Sequence, residues 1–133
     1  MLVSLIEVRR ALENQAVVPC FQPIVELRTG LVPGGCPLMN TAVEADDGNA
    51  RLRARAKKAL QNWTARLTKI TAEGIAKNQI SASVDARDLA QLIIASLEGA
   101  LLIARLQKSN APLRNVRRHL DGYLEQSVRA KER

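Results

Sequence analysis

The sequence predicts a mainly α-helical domain preceded by one short helix and one β-strand. Three observations carry that reading. Alanine, leucine and arginine dominate the composition, and Phe21, Trp63 and Tyr123 are the only aromatic residues, a balance that suits helices. Pro33-Gly34-Gly35 is the sharpest punctuation in the chain, and from Cys36 onward the sequence reads as helix to the end. Inside this helical region a single stretch, Asp85 to Ser109, is apolar nearly all round. The chain therefore divides into residues 1–33 and residues 34–133.

The stretch from Asp85 to Ser109 organises the rest. Asp85 is a good N-cap, and Asp88 stands three residues on, like the second half of a capping box. Leu89, Leu92, Ile93, Ile94, Leu97, Leu101, Leu102, Ile103 and Leu106 are too many apolar residues for one stripe. A helix that is apolar nearly all round has to be covered on both sides. Ser96, Gly99 and Ala100 place small side chains in the middle, where another helix can approach closely. One side is expected to rest on its own domain and the other on a second copy of the chain. The alternative is a central helix wrapped entirely by its own chain, for which a chain this short offers few other helices.

The remaining elements follow in order. Residues 2–14 read as a short helix, with Leu2, Leu5, Ile6 and Leu12 near one face. Residues 17–27 then favour a strand through Val17, Val18, Phe21, Ile24 and Val25. Pro19 and Pro23 have the same parity, so both missing N–H groups fall on one strand edge. The opposite edge is free to pair, and pairing with its own copy across a two-fold axis is expected. Pro37 suits the first turn of a helix running to about Ala45, which Asp46-Asp47-Gly48 breaks. A long helix follows from about Asn49 to Lys77, with Leu52, Ala56, Ala59, Leu60, Trp63, Leu67, Ile70 and Gly74 as its buried stripe. After the central helix, Asn110 is placed as the cap of a last helix with Pro112 in its first turn. That helix is expected to bury Leu113, Val116, Leu120, Tyr123, Leu124 and Val128.

Composition bounds the function. At 133 residues this is one domain with a possible appendage. The net charge is +7. Residues 1–35 are balanced, so the excess lies beyond them. A basic balance permits contact with nucleic acid or an acidic surface without demonstrating it. Arg51, Arg53, Arg55, Lys57 and Lys58 form the densest basic run, but alternate positions on a helix diverge and make no stripe. Cys20 and Cys36 are too few for a disulfide scaffold, no secretion signal is apparent, and no uninterrupted apolar run reaches membrane-span length. The expectation is a cytoplasmic, non-membrane protein with free thiols.

Little in the sequence carries catalytic or cofactor chemistry. His119 is the only histidine, beside Arg117 and Arg118, and reads as a surface or packing residue. No Cys-x-x-Cys pair exists, and Gly34-Gly35 is not followed by the Lys-Ser or Lys-Thr of a phosphate loop. Ser96 and Ser127 have no base nearby in sequence, and Asp46-Asp47 reads as a helix-end turn. No catalytic, metal or cofactor-binding residue is assigned, and no enzyme activity is expected.

Two family resemblances add to this. Arg9-Arg10-Ala11-Leu12-Glu13, Phe21-Gln22-Pro23-Ile24-Val25 and Leu27-Arg28-Thr29-Gly30 resemble the start of an EAL domain, the family of cyclic di-GMP phosphodiesterases, over residues of about 5–31. In that family the strand opens a TIM-type barrel of well over ~200 residues, and a metal-binding glutamate follows soon after. Here Leu31 to Leu38 holds no carboxylate, so no catalytic residue carries over. The helical region resembles the C-terminal domain of TetR-family transcriptional regulators over residues of about 34–126. The match lies in Gly35-Cys36-Pro37-Leu38-Met39-Asn40, in Arg53 to Trp63, in Asp85-Ala86, in Leu97 to Arg105, in Ala111-Pro112-Leu113-Arg114 and in His119-Leu120.

The TetR resemblance implies an all-helical domain that dimerises through its last two long helices and, in some members, binds a small effector. Residues 1–33 do not supply the family's three-helix DNA-binding head, so no sequence-specific nucleic-acid binding is expected of this chain alone. The expected role is a dimerisation and effector-binding domain. Cyclic di-GMP signalling and a ligand-free dimeric interaction protein stand as alternatives. The homodimer core is expected to be a four-helix bundle with Leu97, Ala100, Leu101, Ala104, Val116, Leu120 and Tyr123 at its interface. A small apolar effector would meet Leu60, Trp63, Leu67 and Ile93.

Overall fold

The computed structural model describes residues 35–45 and 48–130, and every structural statement below refers to them. The expected helix over 2–14 and strand over 17–27, with its pairing, lie outside the described residues.

Four α-helices follow one another: α1 (Pro37–Glu44), α2 (Ala50–Ala76), α3 (Ala86–Gln107) and α4 (Ala111–Tyr123), the last continuing as a π-helical turn over Leu124–Val128. Each start has a chemical cause. Pro37 occupies the first turn of α1, where its missing N–H has no intrahelical partner to lose. Asn49 caps α2, its side chain accepting from the Leu52 N–H at 3.1 Å. Asp85 caps α3 and accepts from the N–H groups of Arg87 and Asp88 at 2.9 and 2.8 Å. Asn110 stands at the N-cap position of α4, yet its side chain makes no cap bond. The Ser109 hydroxyl accepts from the Ala111 N–H instead, at 3.2 Å.

The ends are equally local. Asn78 after α2 and Lys108 after α3 take left-handed conformations with φ of 54° and 50°. These turns let the Gln79 N–H reach the Gly74 carbonyl at 2.9 Å and the Ser109 N–H reach the Ala104 carbonyl at 3.0 Å. The chain's last described stretch then returns to the α2–α3 connection through an antiparallel bridge between Ile80 and Arg129. Ser81 N–H donates to the Val128 carbonyl at 2.9 Å, and Ala130 N–H to that of Gln79 at 3.1 Å. This clasp seals Ile80, Leu124 and Val128 in the core.

α3 lies at the centre, packed against both α2 and α4. By length and composition alone it would pass as a membrane span, although Glu98 interrupts its apolar run. It is instead the core helix of the domain. Leu89, Ala90, Ile93, Ile94, Leu97, Ala100, Leu101 and Ala104 are buried on its inner arc. The stripe of α2 differs from the expected one. Ala56, Trp63, Leu67, Thr71 and Gly74 are buried, whereas Leu52, Ala59 and Leu60 are exposed. Thr71 enters the core because its hydroxyl donates to the Leu67 carbonyl at 3.0 Å, so no polar atom is left unsatisfied.

Candidate functional site

Two features of the surface stand apart from the packing. The first is a cavity of about 320 Å³ between α1 and the C-terminal half of α3. Met39 and Val43 of α1 face Leu101 and Leu102 of α3 across it, and Cys36, Glu98 and Arg105 complete its polar lining with Asn40 and Glu44. α1 can start at this wall because Gly35 takes φ +73°, and the Arg105 side chain fills the space a Cβ would need there.

Glu98 is the chemical anomaly of this cavity. It is the only charged residue between Asp88 and Arg105, and it is 8% exposed. Its Oε1 has no hydrogen-bond partner among the described residues. Burial pushes its carboxyl up to about 8, and the hydrogen bond and electrostatic influence of Cys36 push the same way. Cys36 is itself buried. Glu98 is absent from the expected site residues, although a lone charge inside an otherwise apolar helix is the signal that points to it.

The second feature is the outer arc of α3. Leu92, Leu102, Ile103 and Leu106 are 44%, 59%, 46% and 77% exposed, and the exposed Ala95 and Gly99 lie between them. Leu92, Ser96, Gly99, Ile103 and Leu106 recur at steps of four, three, four and three, the spacing of a helix–helix seam. On α4, Pro112, Val116, His119 and Tyr123 share one partly exposed flank, while Arg114, Arg117 and Arg118 lie on its other side.

The residues expected at the interface fall in different places within the protomer. Leu97, Ala100, Leu101 and Ala104 are 4% exposed or less because α2 and α4 already cover them within the protomer. Leu120 is likewise buried, Val116 is half-buried, and Tyr123, expected on the buried face of the last helix and at the interface, is 42% exposed. The expected pocket also divides. Trp63, Leu67 and Ile93 share the close-packed core. Leu60 sits apart, on a separate open groove with Lys57, Thr64, Lys69 and Arg87. His119 is exposed on α4, and no three His, Cys, Asp or Glu residues converge among the described residues.

Comparison with known proteins decides the family. The family described as Tetracyclin repressor-like, C-terminal domain, matches residues 20–120, well over half the chain. The chain belongs to the TetR family of transcriptional regulators. The TetR match begins ahead of the Pro33-Gly34-Gly35 boundary, inside the segment that resembles an EAL domain, and none of these comparisons supports that EAL resemblance. Among curated proteins, two uncharacterized HTH-type transcriptional regulators from two strains of Mycobacterium tuberculosis are 34% identical over 96 residues, covering 68% of this chain and 46% of theirs.

Two solved structures extend the likeness to the fold. A TetR transcriptional regulator from Chloroflexus aurantiacus is 42% identical, with a TM-score of 0.71, over 74% of this chain and 50% of that one. A TetR-family regulator from Cytophaga hutchinsonii is 35% identical, with a TM-score of 0.69, over 74% and 49%. The chain thus spans about half the length of the regulators it matches. The helices described above are those of a TetR C-terminal domain, in keeping with the mainly α fold expected from the sequence.

Proposed function

We propose that this chain is the dimerising and effector-responsive domain of a TetR-like regulator, without enzyme activity and acting in the cytoplasm. The observation that carries the reading is the outer arc of α3. A helix with its inner arc in the core and its outer arc apolar at seam spacing needs a second cover. A second copy supplies it, because two-fold symmetry presents the same patch twice. α3 and α4 of each protomer then form a four-helix bundle through Leu92, Gly99, Ile103, Leu106, Val116 and Tyr123, with Ser96 and Gly99 at the closest approach. Stable interfaces of this kind bury about 800 Å² per partner.

The effector reading rests on the α1–α3 cavity, whose size falls near the lower end of small-molecule sites of roughly 300–1,000 Å³. Sequence-specific DNA binding is not assigned to this chain, since base readout needs an element that reaches base edges. Light scattering of the purified chain at micromolar concentration tests the proposal. A mass twice the protomer's 14.6 kDa is expected. A well-folded species at the single-protomer mass would refute it.

A further inference from the structure

We propose that the α1–α3 cavity binds a small, mainly apolar ligand carrying one protonated amine, with the Glu98 carboxylate as its counter-ion. This deepens the effector reading and rests on it. The walls set the apolar character: Met39, Val43, Leu101 and Leu102 line one open side of the space, which suits a short hydrocarbon chain or one ring. Glu98 sets the polar character. Its side chain is more than nine-tenths buried at the cavity, and its unpartnered Oε1 is an acceptor waiting for a donor. A buried polar group left unsatisfied in a folded domain calls for a specific reason.

Charge selects the amine. The charged and titratable groups at the cavity are Cys36 at the start of α1, Glu44 of α1, and Glu98 and Arg105 of α3. Arg105 lies over Gly35, while burial and Cys36 both push the Glu98 carboxyl towards its protonated form. An ammonium group supplies both the missing donor and the missing positive charge in a low-dielectric setting, where such a bond is strongest. An alcohol supplies only the donor. A carboxylate ligand would bring like charge against Glu98 and Glu44. Since burial holds Glu98 protonated near neutral pH, amine binding releases that proton to solvent, and affinity rises as pH approaches 8.

The test is calorimetric titration of the full chain with n-hexylamine, hexan-1-ol and hexanoate at pH 6.5 and 8.5. Saturable hexylamine binding is expected, ~10-fold tighter than hexanol, tighter at the higher pH, with hexanoate weakest. Glu98→Gln should abolish the preference for the amine while keeping helicity. Val43→Trp, at a position 72% exposed on the cavity rim, should block all three probes without disturbing the fold. Hexanol or hexanoate binding as tightly as hexylamine, an amine preference that survives Glu98→Gln, or no saturable hexylamine binding would each overturn the proposal. Sedimentation of the same samples separates this from the dimer reading: a dimer in samples that show no saturable hexylamine binding in the calorimeter removes the ligand and leaves the dimer standing.

Discussion

At the scale of single residues, Glu98 makes stability depend on pH in a defined direction. Its folded-state pKa is about 8 against an ordinary 4.5. Below about pH 4.5 both folded and unfolded chains hold the proton, and the residue carries no ionisation penalty. As pH rises towards 8, the unfolded chain releases the proton and the folded one keeps it, so stability falls until the folded pKa is passed. The loss is on the order of a few kcal/mol. Glu98→Gln should match the wild type near ~pH 5 and exceed it at ~pH 8.5, as measured by urea denaturation. An equal difference at both pH values would contradict this assignment. Gly35 is the other position set by local chemistry. Gly35→Ala forces a Cβ into a left-handed backbone beside Arg105, and a loss of about 1–2 kcal/mol is expected in the same assay.

At the scale of elements, α3 depends on its cap. Asp85→Ala removes the acceptor for two N–H groups and should cost about 1 kcal/mol, read as a lowered unfolding midpoint with unchanged slope. Much of this level is legible in the sequence, because capping and breaking are local. Pro37, Asn49, Asp85, Asn78 and the Lys108–Asn110 region mark helix ends close to where the chain turns. Which arc of α3 faces inward is not legible. Both arcs are apolar, so residue type does not distinguish Leu97 and Leu101, which are buried, from Leu102 and Ile103, which are exposed. Leu52 and Leu60 on α2 are misplaced for another reason: they lie in its N-terminal half, where Ala56 is the only residue buried before Trp63. In the site, Cys36 can be read as a residue at the start of α1, but its pairing with Glu98 joins positions far apart in sequence. Only the packing of α1 on α3 brings them together.

At the scale of the whole molecule, the organising fact is that one helix is claimed twice. Its inner arc is the core, and its outer arc, with the flank of α4, is the proposed surface for a second copy. Gly99 and Leu102 belong both to the region of that arc and to the cavity lining, so a ligand between α1 and α3 would sit against the proposed dimer seam. This geometry gives occupancy a route to the interface, through the position of α3 rather than through a distant relay. Two substitutions on the same helix separate interface from core. Leu101→Glu buries an unpaired charge and should unfold the protomer. Ile103→Glu places its charge on the outer arc and should leave each protomer folded. Sedimentation equilibrium of the wild type and Ile103→Glu, with helicity checked by circular dichroism, is the most direct measurement. The wild type should be a dimer at micromolar concentration and Ile103→Glu a helical monomer; a wild-type monomer, or a variant dimer of undiminished affinity, would contradict the assignment of this surface.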